Sequence, residues 1–292
     1  MYTVSASNHI FAMSKDNPSV LTAPSGSRLL FETNDALDGQ VTNSDQSISA
    51  LNWERVNPAT GPVAIEGAMP GDALKITIES IEPAATGIMA AIPGFGVFGE
   101  STAQSSLRVM PIHNDHIEFG DGIKLPFRPM IGVVGVAPTG DPVRNGVPGS
   151  HGGNMDCKKI SPGSILYLPV FHPGGLLAMG DVHACMGDGE IMGTGVEVPA
   201  KVVVIVDLVK SMNIPDPLLE TVDMIYGIAS DETLEKASKI AVRNIRDMVA
   251  AKLKLDDATT GMLLSAIGEL EICQIVDPLM TVRFGVPKAY VL

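Results

Sequence analysis

The sequence predicts a mainly β protein, with sandwich- or barrel-like sheets and a C-terminal α+β segment that holds two helices. Three observations carry this prediction. The 292 residues include 30 glycines and 21 prolines, so turns are frequent and short strands are favoured over a helical bundle. Apolar residues make up 45% of the chain and aromatic ones only 4%, which leaves Val, Ile, Leu, Met and Ala to fill the interior. The apolar runs are strand-length until about residue 230, where helical spacing takes over.

Taken in order, residues 1–30 read as a short strand and turns around Pro18 and Pro24, and 29–33 as a strand that delivers Asn34 and Asp35 to its end. The turn at 57–62 leads into a strand at 63–66. Residues 73–81 alternate, with Leu74, Ile76 and Ile78 against Lys75, Thr77 and Glu79, which marks a half-buried strand. The 93–99 segment is glycine-rich but lacks the lysine of a phosphate loop, and Phe95 and Phe98 stand on it either as part of a flap or as core. His113 and His116 flank an Asn-Asp pair in what reads as a surface turn. Residues 129–138 and 200–210 read as buried strands. Ser230 then caps a helix whose inner face is Leu234, Ala237, Ala241, Ile245, Met248 and Val249, with Glu232–Lys236 and Glu235–Lys239 as supporting pairs. A second helix starts near Asp257, and strands at 271–276 and 279–284 close the chain. This divides the protein into a β region, 1–210, that carries the site and an α+β region, 211–292, that packs on the sheets.

Composition excludes several functions. A net charge of −13 and a pI near 4.8 disfavour nucleic acid and anionic membrane surfaces, because both need clustered Lys and Arg. Runs such as 131–137 and 202–206 are too short to span a bilayer as helices. The three cysteines fit no zinc or CxxC spacing, and the N-terminus lacks the pattern of a secretory signal, so a reduced cytoplasm is expected.

Site chemistry concentrates in 151–197, which holds three Asp, two Glu and three His among paired glycines. Asp181 and His183 are two apart and would leave one face of a strand, where they could share a cation or a proton. Gly187-Asp188-Gly189 reads as a hairpin turn that pairs His183 with Thr194 and puts Glu190 on that same face. A straight strand would nevertheless separate the turn from His183 by about 13 Å. Either the turn folds back or Glu190 and His183 do different jobs. Gly152 and Gly153 permit close backbone approach and an anion-binding nest, and Asn154 and Asp156 add a neutral donor and a base beside it.

These residues, with Pro162-Gly163-Ser164, Tyr167-Leu168-Pro169-Val170, Glu32-Thr33-Asn34-Asp35 and Gly67-Ala68-x-Pro70-Gly71-Asp72, resemble the acetamidase/formamidase family in order over much of the chain. The resemblance implies a mostly β fold, hydrolysis of small neutral aliphatic amides to carboxylate and ammonia, self-association as a homodimer or larger homo-oligomer, and a metal-associated polar pocket. Asp35, Asn154, Asp156, Asp181, His183 and Glu190 occupy matching positions. On this reading Asp181, His183 and Asp35 hold a divalent cation, zinc or calcium, that activates a water. Asp156 or Glu190 moves the proton and Asn154 faces the oxyanion, while Gly152, Gly153 and Asp35 contact the amide. A rival reading makes Cys157 the nucleophile with Lys158 or Lys159. A third treats the chain as a non-catalytic β-scaffold that binds a cation or small ligand.

Overall fold

The computed structural model describes residues 1–291, with about 41% strand and 14% helix. One sheet has nine strands in the order Tyr2–Val4, Ser27–Thr33, Ala200–Val209, Ala73–Pro83, Ile165–Pro169, Leu218–Glu220, Met224–Asp231, Met280–Pro287 and Glu269–Gln274. All its pairings are antiparallel except the first, between Tyr2–Val4 and Ser27–Thr33. The boundary near 210 falls inside this sheet, between Ala200–Val209 and Leu218–Glu220. A second sheet runs Gly152–Asn154, Met130–Gly135, Leu177–His183, Ala59–Ile65 and His9–Ile10, with Leu21–Ala23 added in parallel to Ala59–Ile65.

The main core draws on both sheets. Phe31, Ile76, Ile78, Val202 and Val204 come from the larger, and Val63, Ile131, Val134, Met179 and Val182 from the smaller. The alternation at 73–81 explains the first set: Leu74, Ile76 and Ile78 are buried, whereas Lys75 and Thr77 are half-buried. In the smaller sheet Met130–Gly135 and Leu177–His183 are buried along their whole lengths, so both faces are covered.

Helix α1, Leu234–Leu253, lays Ala237, Ala241, Ile245 and Val249 on the strands Met224–Asp231 and Met280–Pro287. Its cap is Thr233, whose hydroxyl accepts from the Lys236 amide at 3.2 Å, and not Ser230 as expected from sequence. Ser230 remains in the preceding strand, paired with Thr281, because that ladder continues to Asp231. Helix α2, Asp257–Ile267, is capped by Asp256 as its start predicts. Neither helix is long and apolar enough to cross a membrane.

Candidate active site

The strand Leu177–His183 delivers the central residues through a change of phase. Leu177 and Met179 belong to the main core, and so do Val182 and Ala184. Strict alternation from Met179 would have sent Asp181 and His183 into that same core. Asp181 instead takes a left-handed conformation, φ 51°, and the pattern shifts by one residue. Its neighbour on the adjacent strand is Gly132, where a Cβ would lie 2.5 Å from Asp156 Oδ1 and 2.7 Å from Asp181 Oδ2. The glycine therefore clears the space in which the two carboxylates sit. Asp156 and Glu190 also have positive φ, 43° and 46°. Non-glycine residues held this way cost on the order of 1–3 kcal/mol each, and three in one cluster mark a site maintained against local preference.

The hairpin expected at 187–189 does not form. After His183 the chain returns antiparallel with His183 opposite Glu197, not Thr194; Val198 donates to the Val182 carbonyl and Ala184 to the Val196 carbonyl. The residues between make a loop because Asp188 is claimed by the other sheet. Arg283 donates to both its oxygens at 2.9 and 2.8 Å, Lys158 lies 2.7 Å away, and Gly189 donates to the Cys273 carbonyl. Anchored there, the loop folds Glu190 back to His183.

Four carboxylates consequently surround one imidazole nitrogen. From His183 Nε2 the distances are 3.2 Å to Glu197, 3.4 Å to Asp181, 3.9 Å to Asp156 and 4.0 Å to Glu190. Asp277 joins the group through Asn154, whose amide donates to it at 2.9 Å. The loop that carries Asp277 is shaped by the buried Gln274 amide, which accepts from Val276 and Asp277 and donates to the Leu279 carbonyl. Asn154, Asp181, Glu190, Glu197 and Asp277 reach the floor of a cavity of about 460 Å³. His183 and Asp156 lie beneath it, fully buried.

Electrostatics show how unusual this is. Burial, reinforced by the neighbouring acids, pushes Asp156, Glu190 and Asp277 well above the ordinary carboxylate range and Glu197 up to about 8. Asp181 alone is held low, because His183 outweighs its burial. His183 is raised in turn by Glu197 and Asp181 against its own burial. Both nitrogens of His183, both oxygens of Asp156 and one oxygen of Glu197 are nevertheless buried without a hydrogen bond. Ligands bound about 2 Å from one tetrahedral cation stand about 3.3 Å from each other, and the Glu197 and Asp181 distances match that spacing. Two triads, Asp181–His183–Glu197 and Asp156–His183–Glu190, have donor atoms close enough to hold a metal ion.

Other residues singled out by sequence fall elsewhere. Asp35 is buried but turns its carboxylate to the amides of Leu37 and Gly39, at 2.8 and 3.3 Å, so it caps its own turn and is outside both triads. Gly152 and Gly153 are off the cavity wall, and side chains there would meet the carbonyls of Val134 and Val147 at 2.2 and 2.5 Å. Their lack of Cβ serves strand packing. Cys157 is fully buried in the main core. Burial pushes its thiol up, but Cys273 and Arg283 more than offset this and bring it to about 7. A thiol so poised but without access to the cavity does not act on a ligand there. Phe95 lines the cavity, while Phe98 is 53% exposed and does not.

Sequence reasoning missed Glu197 and Asp277. Glu197 is a lone carboxylate between Val196 and Val198, and a charge inside an apolar strand-like run is the signal that would have found it. Asp277 lies in the C-terminal region, which reads as scaffold, and nothing local distinguishes its Asp-Pro from an ordinary turn.

Known proteins share this fold over the whole chain. An acetamidase of Bacillus halodurans, 44% identical, superposes with a TM-score of 0.97 over 99% of this chain and 98% of its own. An acetamidase of Yersinia enterocolitica, 34% identical, gives 0.94 over 100% and 93%. A formamidase of Methylophilus methylotrophus is 24% identical over 70% of this chain and 66% of its own. The chain spans 58 to 66% of the length of the curated relatives it matches. The profile of the Acetamidase/Formamidase family matches residues 10–145 and 141–231, and with those matches added to the structural likeness, the chain belongs to that family.

Proposed function

We propose that the protein hydrolyses amides to a carboxylate and ammonia, and that it does so at the acidic floor around His183. The observation that carries this is the set of buried donor atoms there without partners, five of them on Asp156, His183 and Glu197, open to a cavity through Asp181, Glu190 and Glu197. Unpaired buried acids and imidazole cost several kcal/mol as mere structure, so their retention points to a ligand and to chemistry.

Asp181, His183 and Glu197 would hold a divalent cation. An imidazole in the donor set suits zinc better than calcium, whose shells are made of oxygen. When bound, such an ion polarises a carbonyl and lowers the pKa of water. The chain's own groups do the rest. Glu190 reaches the cavity floor, and burial raises its affinity for a proton, which fits it to take one from attacking water and return it to the departing nitrogen. Glu197, Asp277 and Asp181 reinforce that affinity by repulsion, while Asp156, behind it, is itself raised by burial and by the Glu190 charge. Asp277 fixes the Asn154 amide, which can donate its second hydrogen to the substrate oxygen, and the Asp277 carboxylate can accept from the amide NH₂.

The test is ammonia release from acetamide and formamide, before and after chelation. We expect hydrolysis, loss of at least nine-tenths of it in chelator, and recovery on adding zinc. Full activity after exhaustive chelation, with metal absent by elemental analysis, would remove the cation from the proposal.

A further inference from the structure

The cavity above the acids is larger and more apolar than a one- or two-carbon acyl group requires. Its volume of about 460 Å³ lies in the range that encloses drug-sized ligands. Above the floor the wall is built by Leu37, Ile48, Leu51, Trp53, Ile92 and Phe95. Trp53 and Phe95 keep 44% and 38% of their surface exposed, and apolar area left open beside a polar site is characteristic of ligand grooves.

The wall and the floor share segments. Phe95 lies on Gly193, where a Cβ would come 2.1 Å from the ring. Val97 donates to the Ile191 carbonyl at 2.7 Å, and Gly193 donates to the Glu190 carbonyl at 2.7 Å. The 93–99 loop is thus docked on the turn that presents Glu190, so a group resting on Phe95 is positioned relative to that carboxylate. Charge narrows the ligand further. Arg144, the cation on the wall, is paired with Glu54 at 2.9 Å, and the floor is acidic, so an anionic substrate has nothing to bind.

Resting on the amide-hydrolysis reading above, we infer that the preferred substrates are neutral primary amides with a bulky apolar acyl group, a chain of about five or six carbons or an arylalkyl group. In the reaction R–CO–NH₂ + H₂O → R–COO⁻ + NH₄⁺ the C–N bond breaks, a C–O bond forms, and the protons of water pass to nitrogen. The R group contacts Trp53, Leu51 and Phe95 and takes no part in the chemistry. Formamide and acetamide would leave this wall uncovered.

The experiment measures kcat/KM by ammonia release for formamide, acetamide, butyramide, hexanamide and phenylacetamide, in the wild type and in Phe95→Ala and Trp53→Ala. Each buried methylene is worth about a fourfold gain, so hexanamide should exceed acetamide on the order of 100-fold. Either substitution should lower the hexanamide-to-acetamide ratio by about tenfold. Both side chains are partly exposed, so the variants should fold. A series that peaks at formamide or acetamide, or variants that slow every amide equally, overturns the inference and leaves amide hydrolysis standing. No hydrolysis of any member overturns both.

Discussion

The protein contains two buried charged clusters, and they differ in kind. Around Arg283, which is fully buried, the guanidinium donates to both oxygens of Asp188 and to Glu271 at 2.7 Å, and Lys158 and Lys159 add two further cations to the same carboxylates. Both acids keep about a third of their side chains in water, 30% and 33%. Around His183 the acids outnumber the cations four to one within 4.0 Å, and the principal polar atoms lack hydrogen bonds. The two clusters are joined by chain: Asp156 precedes Cys157-Lys158, and Asp188 precedes Gly189-Glu190. One cluster fixes the backbone on which the other is held open. Satisfied charge is architecture, and unsatisfied charge is where something must bind.

That distinction is easiest to break at its centre. His183→Ala removes the atom shared by both triads, and kcat/KM for amide hydrolysis should fall about 1,000-fold or more while the circular dichroism spectrum and cooperative melting persist. Activity within tenfold of wild type in the folded variant would show that the cluster is structural after all. A milder test leaves His183 in place and moves it. Gly195 lies against the ring, and a Cβ added there would stand 2.4 Å from Nδ1, so Gly195→Ala should displace the imidazole. Because misplacing a metal ligand typically costs 10–100-fold, a loss in that range of metal affinity by calorimetry is expected.

The other cluster should respond in stability. Arg283→Met fills much of the same volume without the charge, leaving Asp188 and Glu271 to partial hydration. Breaking a buried pair costs about 3–5 kcal/mol, and the exposure of these partners places this case near 3. Urea denaturation should show it, with hydrolysis per folded molecule reduced far less than by His183→Ala. A variant as stable as wild type would mean that the Asp188 loop holds itself.

These contrasts also show what could be read from the chain. Asp181 and His183 were legible as a pair because a spacing of two is local, the strand at 73–81 because alternation survives in a single segment, and those at 29–33 and 200–210 because their apolar runs are strand-length. The left-handed turn at Asp181 was not legible. It is imposed by Gly132 and Asp156 across the sheet, and an aspartate carries no mark of it. The hairpin register failed for the same reason: local turn chemistry at 187–189 favours a tight turn, but Arg283, almost a hundred residues on, competes for Asp188 and wins. Glu190 returns to His183 through that distant contact, and Asp277 arrives on a loop built by Gln274. The family resemblance implied the fold and pointed to Asn154, Asp156, Asp181, His183 and Glu190, which gather in the candidate site, whereas Asp35, Gly152 and Gly153 matched it in sequence and sit in turns and packing here.

The smallest expected effect compares the same residue type in two surroundings. His151, like His183, is buried with an unpartnered Nε2, but it has no acids around it, and burial alone lowers it to about 4 where His183 is raised. Its folded pKa thus lies below its unfolded value of 6.5, so the stability tied to its neutral form is complete above pH 6.5 and declines as pH falls toward 4, where the unfolded chain binds a proton the native state refuses. The span corresponds to about 3 kcal/mol. The cavity acids titrate in the same range with the opposite sign, since their raised values favour the native state when protonated, so wild type alone cannot report it. His151→Gln removes this contribution only. The difference in urea midpoint between variant and wild type should therefore shift in the variant's favour between pH 7.5 and pH 4.5, and a difference constant across that interval would mean that His151 finds a partner for its proton.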